Sequence, residues 1–444
     1  MTMEYSKTNK ILIIIVVLSF CLSLGHSFYF RIKPVVDARA YNQIALNLIS
    51  GKGYTEDEGV SLQNDTAIVR VGPGYEFFLA GVYKIFGYHV WLIWILQAIF
   101  LDLTVLLVYL TAREIFKNRW EALIGISAAA LIAFSPDLIV ASSMLLTENL
   151  AVFLLAAYIY FFIRYLSQRN WQNLIIFTLF FAVAVMVRSQ LAIMALIFLA
   201  AFIVKKEWRK MAVFLLLLAI SFAPWLIRNY EVYKTFIPFS AAAGYDLWEG
   251  NHSGASGEME INYQPLIEYM SAHPPLEVNR EGIRQFKEFI FHYPLEFLQI
   301  TLKRISIFFS FSRPTGFWPS FSQPQKLVTA ALSAIYSVLI FTLGLAGIWL
   351  SFKEITGQEK SRLKFLLAAA IAIPLGIIFI VVETRYRYPL YPFLAIFGGY
   401  AVFSLRQNFS RVISVLASTF LILLANTAID VFRNLDRIFN YLVK

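Results

Sequence analysis

The chain has 444 residues, 59% hydrophobic and 16% aromatic, with a mean hydropathy of +0.65 and a formal net charge of +10. Only 15% of residues are charged, against about 25% in soluble domains, so the composition excludes a soluble globular protein and describes a polytopic membrane protein. Basic loops on the cytoplasmic side account for the positive charge, no nucleic-acid-binding motif accompanies it, and one cysteine, Cys21, excludes an internal disulfide.

Lys7 and Lys10 precede an apolar run from Ile11 to about Phe30, which reads as an uncleaved membrane anchor. A polar loop, residues 31–89, follows directly. Within it, residues 37–50 place Tyr41, Ile44, Ala45 and Leu48 on one helical face, the pattern of a helix lying at the membrane interface. Asp37 and Tyr41 are one turn apart and face the same way. The run Arg70-Val71-Gly72-Pro73-Gly74-Tyr75 is a turn with a cation on one side and an aromatic on the other, and residues 73–86 are a candidate second interfacial helix.

Apolar spans are expected at about 90–110, 122–134 and 145–163, the last entered through Thr147-Glu148-Asn149. The stretch 174–204 is interrupted near its middle by Arg188-Ser189-Gln190, with basic residues on both flanks. Each half is about 14 residues, or about 21 Å of helix, short of a hydrocarbon core of about 30 Å. It reads as a hairpin that does not reach the far surface, with Arg188 at membrane depth facing protein or a water-filled cavity; snorkelling or a structural pair is the plain alternative. A span at 211–225 leads to a long polar section with two expected helices, 276–291 and 294–311. Spans at 327–350, 365–382, 388–405 and 412–429 complete the chain. With basic loops inside, this gives an all-α membrane protein of about eleven spans. Its N-terminus is cytoplasmic, and the first loop and the long section share the outer face. The expected organisation is an N-terminal membrane module, 1–230, an outer section, 231–325, and C-terminal spans, 326–444.

No Walker A or GxGxxG stretch is present, and the five histidines show no metal-ligand spacing, so no cofactor or metal is expected. A substrate delivered through the bilayer suits the polar chemistry of the outer face. Asp37, just outside a span, is a candidate general base; an interfacial or helix-capping role is the plain alternative. Glu148 is a second acid, or a carboxylate favoured by a helix N-terminus. Arg70, Arg188, Arg385 and Arg387 are candidate phosphate-binding residues, since guanidinium forks match phosphate oxygens; for the last two, interfacial anchoring is the alternative. Trp248 is either a sugar-stacking or a packed aromatic.

Six motifs in this order resemble the GT-C membrane glycosyltransferases of the glycosyltransferase 39 type, whose members include protein O-mannosyltransferases and lipid A aminoarabinose transferases. They are Asp37-x-x-x-Tyr41, the run 70–75, Thr147-Glu148-Asn149, the PWLIRNY run at 224–230, the GYDLWEGN run at 244–251 and Arg385-Tyr386-Arg387-Tyr388-Pro389. The chain departs from the family in having Ala38 after Asp37, where many relatives have a second acid. Val71 and Gly72 stand where the aminoarabinose transferases have a lysine beside paired prolines. The resemblance implies a GT-C fold and transfer of one sugar from a polyprenyl phosphate to a glycan, lipid or protein acceptor on the outer face. Asp37 and Glu148 would be catalytic, Arg70, Arg188, Arg385 and Arg387 would bind the donor phosphate, and Tyr41, Tyr75, Tyr245, Trp248 and Asn251 would contact sugar or acceptor. A glycolipid flippase would also need membrane-depth cations, but it predicts two similar halves, which the sequence lacks. A non-catalytic envelope-assembly protein gives no reason for this order of acids and arginines.

Overall fold

The computed structural model describes residues 2–57, 59–117, 121–260, 262–315 and 318–435; residues 436–444 of the expected third segment lie outside these. The N-terminal part comprises α1 (Thr2–Phe30), α2 (Asp37–Ile49), α3 (Gly74–Phe86), α4 (Val90–Ile115), α5 (Glu121–Ala133), α6 (Pro136–Ser142) and α7 (Glu148–Gln168). Next come α8 (Trp171–Val187), α9 (Met194–Val204) and α10 (Trp208–Tyr233). The polar section holds α11 (Ala242–Gly250), α12 (Gln264–Ala272), α13 (Pro275–His292) and α14 (Pro294–Phe308). The chain then runs through α15 (Gln323–Glu354), α16 (Gly357–Leu375), α17 (Tyr391–Gln407) and α18 (Phe409–Arg433). Beyond these, the described residues include one isolated parallel bridge, Glu258 with Val382.

Each of the eleven expected spans falls on a helix, but the one expected at 365–382 stops at Leu375, and the chain turns at residues 376–380. Seven helices among the described residues are long and apolar enough to cross a membrane alone, and α5 with α6, bent by 53°, makes an eighth candidate. Ser135 N-caps α6, its side chain accepting from the Leu138 N–H, and Pro136 begins that helix, so the chain turns there. The hairpin is α8 and α9, both shorter than a full span and joined by a 3-10 turn, Ser189–Ile193. Helices α4, α5, α7, α15 and α17 pack together at the centre. Gly347 and Gly399 allow the close approaches: a Cβ on Gly347 would meet the Phe397 carbonyl at 1.9 Å, and one on Gly399 the Ile124 carbonyl at 2.4 Å.

The two expected interfacial helices form as α2 and α3 and pack on each other. Their buried faces carry Tyr41, Ile44 and Ala45 on one side and Tyr75, Leu79 and Tyr83 on the other, at the helical spacing that predicts them. Two short helices of the polar section, α11 and α12, were not legible from periodicity. Glycines seat α11 against α13: Gly244 and Gly282 face each other so closely that a Cβ on either would overlap the other helix's backbone.

Candidate active site

The turn at 70–74 is the joint on which the site is built. A Cβ on Gly72 would lie 2.3 Å from the Met186 carbonyl oxygen, and one on Gly74 would lie 2.8 Å from the Val187 nitrogen. Only glycines let this turn rest on the last residues of α8. The Ser189 N–H closes the contact by donating to the Val71 carbonyl at 3.2 Å. The loop carrying Arg70 and the helix end carrying Arg188 are thereby held together.

Asp37 opens α2 and follows Val36, a β-branched residue at φ 50°, a strained conformation outside glycine and asparagine. The Asp37 carboxylate does not cap its helix. It accepts a hydrogen bond from Arg385 Nη2 at 2.8 Å and lies 3.8 Å from Arg70 Nη1. Burial acts to raise its pKa; Arg385, Arg70 and Arg188 outweigh this and hold the carboxyl below the usual aspartate range.

Glu148 opens α7 and is buried. Its Oε1 lies 3.2 Å from Arg188 Nη1 and 3.8 Å from Arg385 Nε. Arg188 is buried too and lies over the Tyr386 ring. Its Nη1 makes no hydrogen bond, so the contact with Glu148 is one of charge. Arg188 therefore faces protein, beside a cleft of about 10 Å³, room for about one water, that it shares with Gln190, Ile373, Ile377 and Tyr386.

Two further acids complete the cluster, and sequence reasoning missed both. Glu56 accepts from Arg70 Nε at 2.8 Å, and Glu383 accepts from Arg385 Nε at 2.6 Å. Glu383 had a signal, two residues before Arg385; Glu56 sits in a polar loop with none. Asp246 on α11 is half-buried beside them: burial, then Asp37 and Glu383, push its carboxyl up to about 7. Tyr41 and Tyr75 pack edge to face, with ring centroids 5.6 Å apart, and both are buried behind Asp37. Tyr245 is half-buried, and burial followed by Glu249, Asp246 and Asp37 raises its hydroxyl pKa.

Three expected site residues lie elsewhere. Arg387 is fully buried and donates to the carbonyls of Ile307 at 2.7 Å and Arg313 at 3.1 Å. Trp248 packs in an apolar cluster with Leu266 and Val278. Asn251 accepts from Arg304 Nη1 at 2.9 Å and donates to the Leu247 carbonyl at 2.9 Å and to those of Phe379 and Ile380. These groups brace the polar section against the turn after α16, the segment that leads to Glu383 and Arg385. The PWLIRNY run is likewise a clasp: Arg228 lies over the rings of Tyr54, Trp225 and Tyr233, and Trp225 Nε1 donates to the Phe239 carbonyl.

Residues 70–227 match a family model described as dolichyl-phosphate-mannose-protein mannosyltransferase. Sequence comparison with curated proteins gives no match. By structure, the chain is similar to the archaeal oligosaccharyltransferase AglB from Archaeoglobus fulgidus in complex with an inhibitory peptide and a dolichol-phosphate. Identity is 15% and the TM-score 0.55, over 96% of this chain and 55% of that one. It is also similar to ArnT from Cupriavidus metallidurans bound to undecaprenyl phosphate, at 14% identity and TM-score 0.54, over 90% of this chain and 61% of that one. The chain has the GT-C fold. It spans between half and two thirds of the length of these GT-C structures. In this GT-C chain the first polar loop, the hairpin turn and the segment before α17 converge on one cluster. It joins three arginines, Arg70, Arg188 and Arg385, to four acids, Asp37, Glu56, Glu148 and Glu383.

Proposed function

We propose that the chain transfers a single sugar from a polyprenyl-phosphate donor to an acceptor on the outer face of the membrane, with inversion at the anomeric carbon. The observation that carries this reading is the partly exposed Asp37 carboxylate, set between Arg70 and Arg385 with the buried Arg188–Glu148 pair behind it. The dolichol-phosphate and undecaprenyl phosphate bound to AglB and ArnT support a lipid-phosphate donor.

In this reaction the acceptor oxygen attacks the anomeric carbon while Asp37 takes its proton. The bond from that carbon to the phosphate oxygen breaks, and polyprenyl phosphate leaves with the bonding pair. Arg385, Arg70 and Arg188 stabilise the charge developing on the phosphate. Glu148 sets the position of Arg188 and Arg385. Tyr41 and Tyr75 back the Asp37 helix, and Tyr245 borders the sugar. The α8–α9 hairpin and its neighbouring spans cradle the prenyl chain. Two guanidiniums beside Asp37 disfavour a metal ion there, so the proposed transfer is metal-independent. Arg387, Trp248 and Asn251 act as braces.

The test is purified full-length protein in proteoliposomes, given labelled polyprenyl-phosphate sugars or nucleotide sugars, alongside mass spectrometry of lipid-linked sugars and envelope glycans with and without the gene. Transfer from the lipid-linked donor alone is expected. Direct transfer from a nucleotide sugar, with no lipid carrier present, refutes the proposal.

A further inference from the structure

Helix α14 has two unlike faces. One is buried and carries Ile300, Arg304, Ile307 and Phe308. The other carries Leu295, Leu298, Leu302 and Ile305, at helical spacing and all exposed, with Leu298 and Leu302 at 54% and 56%. A row of four large aliphatic side chains on one helix face is not a water-facing surface.

The depth of α14 follows from its partner α18. The Arg411–Glu354 ion pair, 3.1 Å, marks one polar boundary of the bundle. Asn426 lies about 22 Å farther along α18, inside a hydrocarbon core of about 30 Å. Asn426 Nδ2 donates to the Ser306 carbonyl at 2.9 Å, which fixes the C-terminal end of α14 at that depth. The neighbouring face of α18 is exposed through Leu421, Ile422, Leu424 and Ile429, as a lipid-facing span requires. Of the two cations near the inner end of α14, Lys303 is half-buried, with a stem long enough to carry its head toward the polar boundary, and Arg304 is fully buried and donates to the Gly250, Gly257 and Ile378 carbonyls and to Asn251. That arrangement permits a cation at this depth.

We infer that α14 is a half-embedded helix whose Leu295–Leu298–Leu302–Ile305 stripe is inserted among lipid acyl chains, in the leaflet on the side of the candidate site. At 15 residues it is too short to span. It enters the leaflet, meets α18, and turns back at residues 309–315 toward α15. The stripe continues the lipid-facing surface of α18. This inference concerns membrane contact and stands independently of the proposed transfer reaction.

The test is site-directed spin labelling of the full chain in liposomes. Cys21 is the sole cysteine, so Cys21→Ser gives a background in which Leu298→Cys and Leu302→Cys are labelled singly. Leu421→Cys on α18 serves as the lipid control and Lys287→Cys on α13 as the water control. Collisions with oxygen at residues 298 and 302 should exceed those with a water-soluble nickel chelate, as at 421 and opposite to 287. Greater nickel than oxygen accessibility at 298 and 302 overturns the inference. So does exclusion of both reagents, which would mean that protein, such as a second copy of the chain, covers the stripe.

Discussion

Arg385 Nη2 donates to Asp37 Oδ2 at 2.8 Å, joining the first polar loop to the segment that opens α17. The pair has a chemical meaning in the proposed reaction. Without donor, the carboxylate is ionised but occupied. A donor phosphate that draws Arg385 and Arg70 toward its own oxygens frees the carboxylate and restores its basicity. Donor binding and activation of the base are then one event.

Asp37→Asn tests this. The substitution keeps shape and hydrogen bonding and removes basicity. Turnover should fall at least about a hundredfold, the scale of general-base loss, with donor affinity equal to or tighter than that of the parent, because Arg385 is released. Folding should survive, since Asp37 is partly exposed and the amide oxygen still accepts. A well-folded Asp37→Asn protein with near-parental turnover would move the base to Glu148.

Arg188 and Glu148 are both buried, at 4% and 2% side-chain exposure. Removing one member of a buried pair leaves an uncompensated charge and costs about 3–5 kcal/mol. Arg188→Leu should lower the melting temperature markedly, and Arg188→Leu combined with Glu148→Gln should recover much of the loss. Both should bind donor weakly. Additive destabilisation in the double variant would show that the two side chains do not depend on each other.

Glu76 on α3 supplies a pH dependence. Its carboxyl is fully buried, and burial pushes its pKa up to about 8, against an opposing hydrogen bond from Tyr54. The folded state therefore keeps a proton that the unfolded state has lost above its ordinary glutamate value of about 4.3. Stability from this group falls as pH rises, by about 1.4 kcal/mol per unit, until the folded group ionises near pH 8. Glu76→Gln should remove that slope. Melting temperatures from pH 5 to 9 should diverge, with the variant ahead at the alkaline end; parallel curves count against a neutral Glu76.

Sidedness is tested by cysteine labelling in the Cys21→Ser background. Gln63 and Ser271, both exposed, should react with an impermeant reagent from outside intact cells. Lys205 and Gln358, also exposed, should react only after permeabilisation. The reverse labelling pattern would place the Asp37 cluster in the cytoplasm and end the outer-face reading.

What the sequence disclosed was whatever repeats along a helix or sits at its end. Helices α2 and α3 were legible because Tyr41, Ile44 and Ala45 recur with helical spacing. Asp37, Glu148 and Arg188 were legible because each is a charge at the edge or middle of an apolar run. Trp248, Asn251 and Arg387 lay in the same motif string, yet each turned out to be packed inside. Burial of a loop residue depends on what folds over it, here α12, α13 and α14, and no local pattern encodes that. The same holds for Asp246, which gains its surroundings from elements distant in the chain; Glu56 pairs with Arg70 within one irregular loop, where no helical spacing marks the pair.

The Arg304 guanidinium has a consequence for how the protein is made. Two of its backbone acceptors, at Gly250 and Gly257, precede it in the chain, and a third, at Ile378, follows it. During synthesis the polar section can dock on α14 as soon as that helix emerges, sheltering the cation before it meets lipid. The last acceptor, at Ile378, comes only after α16, shortly before Glu383 and Arg385. A nascent chain halted earlier would carry Asp37, Arg70, Glu148 and Arg188 without the residue that ties them together. In chain order, the residues that complete the cluster are therefore among the last to be made.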